Sequence, residues 1–231
     1  MDYLFLHVPK TAGTSLWSAF VGLFGEENVS DPIGSDETMT AKQAASLRHH
    51  RMISGHLCRA EIAGHFDDRQ WLTVIRHPVD REISSYYFHA ALDTPNMANQ
   101  MSVDDFFFRT HDDSRRMREL WNRQVRQLGG RTREPYLDLR TALKVAKETL
   151  RRCVWFGIHD RLADDVSRLR NLPDFSELPA LPQERVTAKR PSVADISPRL
   201  RQRILDTHPY DLELYHWACE YSGGQSGIAS V

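Results

Sequence analysis

The stretch Tyr3-Leu4-Phe5-Leu6-His7-Val8-Pro9-Lys10-Thr11-Ala12-Gly13-Thr14-Ser15-Leu16 decides the fold. Residues 3–8 are an apolar run of the length expected for a buried strand. Small and hydroxylated residues around one glycine follow, and a helical pattern starts at Ser15. It runs to Phe24 with Leu16, Phe20, Leu23 and Phe24 on one face. Strand, tight loop and helix start together make a phosphate-binding geometry. Backbone N–H groups at a helix N-terminus point at the ligand, and the helix dipole favours negative charge there. Lys10 adds a full positive charge, and Thr11, Thr14 and Ser15 add hydroxyl donors. An ordinary strand-to-helix turn with a surface lysine is the plain alternative, as for any short motif.

Outward from this loop, strands and helices alternate. The pattern predicts a loop over 25–40, a short helix over 41–49, a strand over 52–56 and a fully buried strand over 71–75. Pro78 and Asp80 open a helix to about Ala91. A polar loop is expected over 93–102, mainly helix over 103–128, an amphipathic helix over 136–151 and a strand over 153–158. A helix at 161–171, a proline-containing loop at 173–194 and helices at 197–207 and 210–221 complete the chain. Neither repeats nor a dividing linker are visible. The expectation is one α/β domain over residues 1–221, with a mainly parallel sheet flanked by helices and a disordered tail over 222–231.

Composition narrows the classes. The 231 residues suit one domain, and 41% hydrophobic with 26% charged residues suits a soluble globular protein. No apolar run approaches the ~20 residues that span a bilayer, and a strand starting at Tyr3 leaves no room for a signal peptide. Cys58, Cys153 and Cys219 are few and widely spaced, which points to a reducing, cytoplasmic compartment. Net charge is −1, yet residues 109–133 hold eight arginines against three acids, and a second basic stretch spans 185–203. Such runs are either solvated faces or a groove for a polyanion. Nucleic acid is the weaker candidate, since no motif for it appears.

A second site emerges at Thr73-Val74-Ile75-Arg76-His77-Pro78-Val79-Asp80-Arg81-Glu82-Ile83-Ser84. The strand ends at Arg76, at the carboxyl edge where open parallel sheets place ligands. Ser84 lies two turns into the next helix. Arginine plus a serine hydroxyl suits a phosphate, although an Arg–Asp turn pair fits the same residues.

Together, HVPKTAGTS (7–15) and VIRHPVDREISSYY (74–87) resemble the sulfotransferases that use 3′-phosphoadenylyl sulfate (PAPS). The likeness is greatest to the carbohydrate type related to heparan sulfate 2-O-sulfotransferase and its bacterial relatives. The resemblance implies a P-loop-NTPase-like sulfotransferase fold and a bacterial-type cytosolic enzyme without a membrane anchor. It also implies that Pro9, Lys10, Thr11, Ala12, Gly13, Thr14 and Ser15 bind the 5′-phosphosulfate, and that Arg76 and Ser84 bind the 3′-phosphate. Ser54-Gly55-His56 resembles the segment whose histidine is the proposed base. Residues 122–128 resemble an acceptor-side helix, which makes Arg123 and Arg126 candidate substrate ligands. Trp155-Phe156-Gly157-Ile158 with Arg161-Leu162 resembles a late strand–helix unit. Thr187, Lys189 and Arg190 fall where members carry a basic loop over the nucleotide.

The implied reaction is in-line transfer of SO₃ to an acceptor hydroxyl, such as that of a glycan or lipid-linked sugar, leaving adenosine 3′,5′-bisphosphate. Lys10 and the loop N–H groups would stabilise charge on the bridging oxygen, and His56 would take the acceptor proton. No metal is required, and grouping His49, His50 and His56 as ligands has no supporting carboxylate or cysteine pattern. His7 reads as a hydrogen-bonded core residue, His77 as part of a turn, and Tyr86-Tyr87-Phe88 and Phe106-Phe107-Phe108 as packing, with one ring available to flank an acceptor. The rival readings are a P-loop kinase and a non-catalytic nucleotide- or glycan-binding protein. The kinase pattern G-x-x-x-x-G-K-[ST] is absent, because Lys10 precedes Gly13.

Overall fold

The computed structural model describes residues 1–34, 39–109, 121–131, 137–182, 191–192 and 194–225. Strand β1 (Tyr3–Leu6) lies inside a parallel sheet whose order is β2-β1-β3-β4, with β2 at Met52–Gly55, β3 at Gln70–Ile75 and β4 at Trp155–Ile158. Leu6 pairs with Gly55 on one side and Thr73 on the other, so β1 and β2 end level and β3 runs two residues further. The α/β fold with a parallel sheet flanked by helices is thus the observed one.

Alternation along the strands explains the layers. Leu4, Leu6, Ile53, Trp71, Ile75, Phe156 and Ile158 face one way. They pack on helices α2 (Ala41–Leu47), α7 (Arg123–Gly129), α8 (Leu139–Arg152) and α11 (Pro209–Gln225). Tyr3, Phe5, Met52, Leu72, Val74 and Trp155 face the other way, against α1 (Gly13–Phe24) and α9 (Leu162–Arg170). Both faces are covered, as parallel sheets require. A third cluster joins α4 (Pro78–Ala90) to α5 (Met97–Gln100), α6 (Val103–Arg109) and α10 (Pro198–Thr207) through Val79, Ile83, Phe107 and Ile204. A single-turn helix, α3 (Arg59–Ile62), follows β2.

Local chemistry sets the boundaries that pattern alone misplaces. Strand β1 stops at Leu6 because the Thr11 hydroxyl donates to the Val8 carbonyl at 2.8 Å and turns the chain. Helix α1 begins at Gly13, before Ser15, because Ala12 at φ 69° already accepts from the Leu16 N–H at 3.1 Å. Part of the expected 93–102 loop is helix α5, closed by an Asn96–Asn99 capping box. Helix α8 starts at Leu139 under an Asp138 cap, and β4 starts at Trp155 because the Cys153 N–H still bonds Thr149 in α8. Helix α11 continues through Gln225, past Ser222, where a disordered tail is expected. The buried Ser222 hydroxyl bonds the Ala218 carbonyl and meets Arg161. Within 103–128, α6 and α7 are helical, and residues 110–120 lie outside the described residues.

Helix α7 sits close to α8 because Gly129 has no side chain. A Cβ there would stand 1.8 Å from the Ala142 carbonyl oxygen. Gly129→Ala is therefore expected to cost about 1–3 kcal/mol through overpacking. The check is a denaturant melt, and an unchanged midpoint would show that the two helices separate freely.

Candidate functional site

The strand order does most of the positioning. The chain runs from β1 to β2 on one side and then to β3 on the other, which opens a crevice at the carboxyl edge. The loop after β1 sits in that crevice, with His56 beyond the end of β2 and Arg76 beyond the end of β3. The two sequence motifs and the histidine segment, distant in the chain, are brought together here.

In the first loop Lys10 and Ala12 both adopt left-handed backbone, at φ 68° and 69°. Left-handed residues interleaved this way curl the chain into a concavity of N–H groups suited to an anion. The N-cap residue Ala12 makes no side-chain cap bond, and the first turn's N–H groups have no acceptors within their own helix. Gly13 is required here: a Cβ would lie 1.8 Å from the His7 ring, which packs over it. Thr11 is fully buried and holds the turn through Val8, so it supports the loop rather than offering its hydroxyl proton outward. The Lys10 ammonium lies 4.0 Å from the centre of the Phe88 ring. One ring of the Tyr86-Tyr87-Phe88 run therefore leaves the packing role and faces the loop, while Tyr86 stays in the core.

Arg76 is 5% exposed and joins the two motifs physically. Its guanidinium pairs with Asp80 through Nε and one terminal nitrogen. Its other terminal nitrogen donates to the Lys10 carbonyl at 2.9 Å. The Arg–Asp turn pair forms, and the same side chain reaches the loop after β1. Ser84 is buried on α4, the helix that carries Asp80.

His56 is half-buried, with its ring 4.3 Å from that of His7. Its Nδ1 lies 2.8 Å from the His7 carbonyl oxygen. A carbonyl can only accept, so Nδ1 carries the proton and Nε2 holds the lone pair in the neutral ring. His7 is buried, as expected of a core histidine, and what it supplies to the site is its main-chain oxygen. His77 precedes Pro78 in the turn into α4, its ring edge-on to Tyr215 at 5.1 Å. Burial holds its imidazole below the ordinary range.

The residues that sequence reasoning missed lie on α7. In the motif Asn122-Arg123-Gln124-Val125-Arg126-Gln127, the arginines draw attention, yet the glutamines face inward, each 1% exposed. Gln124 accepts from the Arg76 N–H and donates to the Arg76 carbonyl, both at 2.9 Å. Gln127 donates to the His7 carbonyl at 2.9 Å and the Leu57 carbonyl at 3.2 Å. One helix thus fastens the chain beyond β1, β2 and β3. Its own start is held by Asp211, which accepts from the Gln124 and Val125 N–H groups. Asn122 returns the favour by accepting from Tyr210 and Asp211 at the start of α11. The signal was available: two glutamines on the face of Val125 and Leu128 must be buried amides, which need partners.

Arg123 and Arg126 are half-buried, and Arg126 Nε donates to the Trp121 carbonyl at 3.0 Å. Thr187, Lys189 and Arg190 lie outside the described residues. Among the described residues the His/Cys/Asp/Glu side chains close enough to share an ion are Asp80, His159 and Asp160, not the histidines at 49, 50 and 56. Asp80 is already engaged by Arg76. Among the described residues no helix is long and apolar enough to cross a membrane.

No curated protein matches the chain. The model of the sulfotransferase family matches residues 2–218, a span that holds the loop, the arginine, the histidine and the α7 clasp alike. With nearly the whole fold inside that match, the chain belongs to the sulfotransferase family.

Proposed function

We propose that this sulfotransferase takes its sulfuryl group from PAPS and passes it to an acceptor hydroxyl of a glycan or glycolipid. The observation that carries the reading is the placement of His56 and Arg76 on the two sides of a Lys10-bearing anion loop. The donor set suits the nucleotide: a helix N-terminus with a lysine for one phosphate, and a buried arginine with the buried Ser84 of the following helix for a second. PAPS supplies the sulfuryl group and departs as adenosine 3′,5′-bisphosphate. His56 Nε2 takes the acceptor proton as the new S–O bond forms. Lys10 and the loop N–H groups stabilise negative charge on the bridging oxygen as the old S–O bond breaks. The carbohydrate acceptor, the heparan sulfate 2-O-like type and the cytoplasmic setting follow from the motif resemblance. Arg123 and Arg126, beside the clasp, are the proposed contacts for an anionic acceptor. The same resemblance supports Thr187, Lys189 and Arg190 as nucleotide contacts.

A thermal-shift comparison tests the reading. Adenosine 3′,5′-bisphosphate is expected to stabilise the protein, by about 2.7 kcal/mol at a hundredfold excess over its dissociation constant. Arg76→Ala is expected to weaken that effect far more than the smaller one of adenosine 5′-phosphate, which lacks the 3′-phosphate. Equal weakening would assign Arg76 to loop support through Lys10 alone. Stabilisation by ATP–Mg²⁺ and not by the bisphosphate would overturn the sulfotransfer reading in favour of a kinase.

A further inference from the structure

We propose that Gln127 is a positioning residue that fixes which ring nitrogen of His56 faces the reaction, a role that rests on the reading of His56 as the base. The His7 carbonyl oxygen receives two donors, His56 Nδ1 at 2.8 Å and Gln127 Nε2 at 2.9 Å. A carbonyl oxygen has two lone pairs, so this pair of bonds saturates it and fixes its direction. The same amide nitrogen also bonds the Leu57 carbonyl at 3.2 Å, next to His56 in the chain. Gln127 therefore ties the acceptor of the histidine's hydrogen bond to the backbone that carries the histidine. The ring cannot drift from His7 without stretching one of these bonds.

The amide orientation follows from its neighbours. Turning it over would set Oε1 against two carbonyl oxygens, so the nitrogen must face them. That leaves Gln127 Oε1 buried with no hydrogen-bond partner among the described residues. An orphaned buried oxygen destabilises the fold. A residue present only to fill space would avoid that cost as leucine or methionine. What the glutamine contributes is its N–H pair, and both protons go to the main chain around His56.

The consequence concerns tautomers. In water a neutral imidazole exchanges its proton between both nitrogens. A fixed carbonyl at Nδ1 holds the proton there and keeps the lone pair on Nε2. Helix α7 is in turn held by Asp211 and packed on α8 at Gly129, so the amide is mounted on a rigid element.

The test is the ¹⁵N spectrum of the His56 ring, assigned by its loss in His56→Ala, together with turnover. In the wild type above the titration of the ring, the Nδ1–H form is expected to dominate. In Gln127→Met it is expected to give way to a mixture of both forms. Turnover should fall by about 10–100-fold, by analogy with removing the outer partner that orients a metal-bound histidine. The shift caused by adenosine 3′,5′-bisphosphate should stay as in the wild type. Gln127→Asn keeps a polar amide but withdraws it by one methylene, and is expected to give the same mixture if the methionine variant does not fold. A wild-type ring protonated at Nε2, or an Nδ1–H ring that persists in the variants, overturns the proposal. The spectrum needs no donor or acceptor. A failure of the sulfotransfer reading would therefore appear in the nucleotide shifts and not in the tautomer.

Discussion

Replacing Lys10 by alanine is expected to lower turnover by about 10²–10³-fold, the usual cost of removing one donor from a site that stabilises developing negative charge. The fold should survive. The ammonium lies 4.0 Å from the centre of the Phe88 ring, and a cation–π contact between two half-buried groups contributes about 0.5–2 kcal/mol. Arg76 bonds the carbonyl of residue 10, which alanine retains. The backbone at φ 68° strains alanine as much as lysine, so no new strain arises. Lys10→Gly separates the two effects further. Glycine relieves left-handed strain of about 1–2 kcal/mol, so its unfolding midpoint should rise while turnover falls as in the alanine variant. Transfer rates and thermal melts on both variants decide the matter. Unchanged turnover in Lys10→Ala would remove the lysine from the reaction and leave the loop as an ordinary turn.

The parts of this site that were legible in the sequence are those written locally. The apolar run 3–8, the run 71–75 and the lysine–glycine loop between strand and helix each carry their own signal within a dozen residues. Buried parallel strands are nearly continuous apolar runs, and the order of elements then leaves few topologies. The α7 clasp is different. Gln124 and Gln127 act on Arg76 and His7, up to 120 residues away, and Asp211 caps α7 from 86 residues on. No local preference encodes such partners, because they exist only once the sheet has closed. Arginines drew the eye in that motif since charge near a phosphate site is readable as electrostatics. A buried amide is readable only as a debt of hydrogen bonds. Arg76 lies between these cases: its neighbour Asp80 was visible one helical turn away, whereas its reach to the Lys10 carbonyl was not.

His56→Ala is expected to lower turnover by about 10²–10⁴-fold, the range for loss of a positioned general base. Nucleotide binding should not change, because His56 lies beyond β2 while Arg76 and Ser84 are on the β3 side of the loop. Stability should change little, for a reason visible in the hydrogen bonds. The His7 carbonyl loses the imidazole but keeps Gln127 at 2.9 Å, so no buried acceptor is orphaned. A base also leaves a signature in pH. Acidification protonates Nε2 and removes the lone pair, so wild-type turnover falls on the acid side, while the residual turnover of the alanine variant has no such limb. The half-buried position offers a sharper check still. Alanine leaves a ring-sized space open to solvent, with the His7 carbonyl still facing it. Added imidazole can occupy that space, donate one N–H to the carbonyl and present its other nitrogen to the acceptor. Turnover of His56→Ala is expected to rise with imidazole concentration and saturate. An acid limb that persists in the variant, with no response to imidazole, would place the base elsewhere and reduce His56 to a wall of the site.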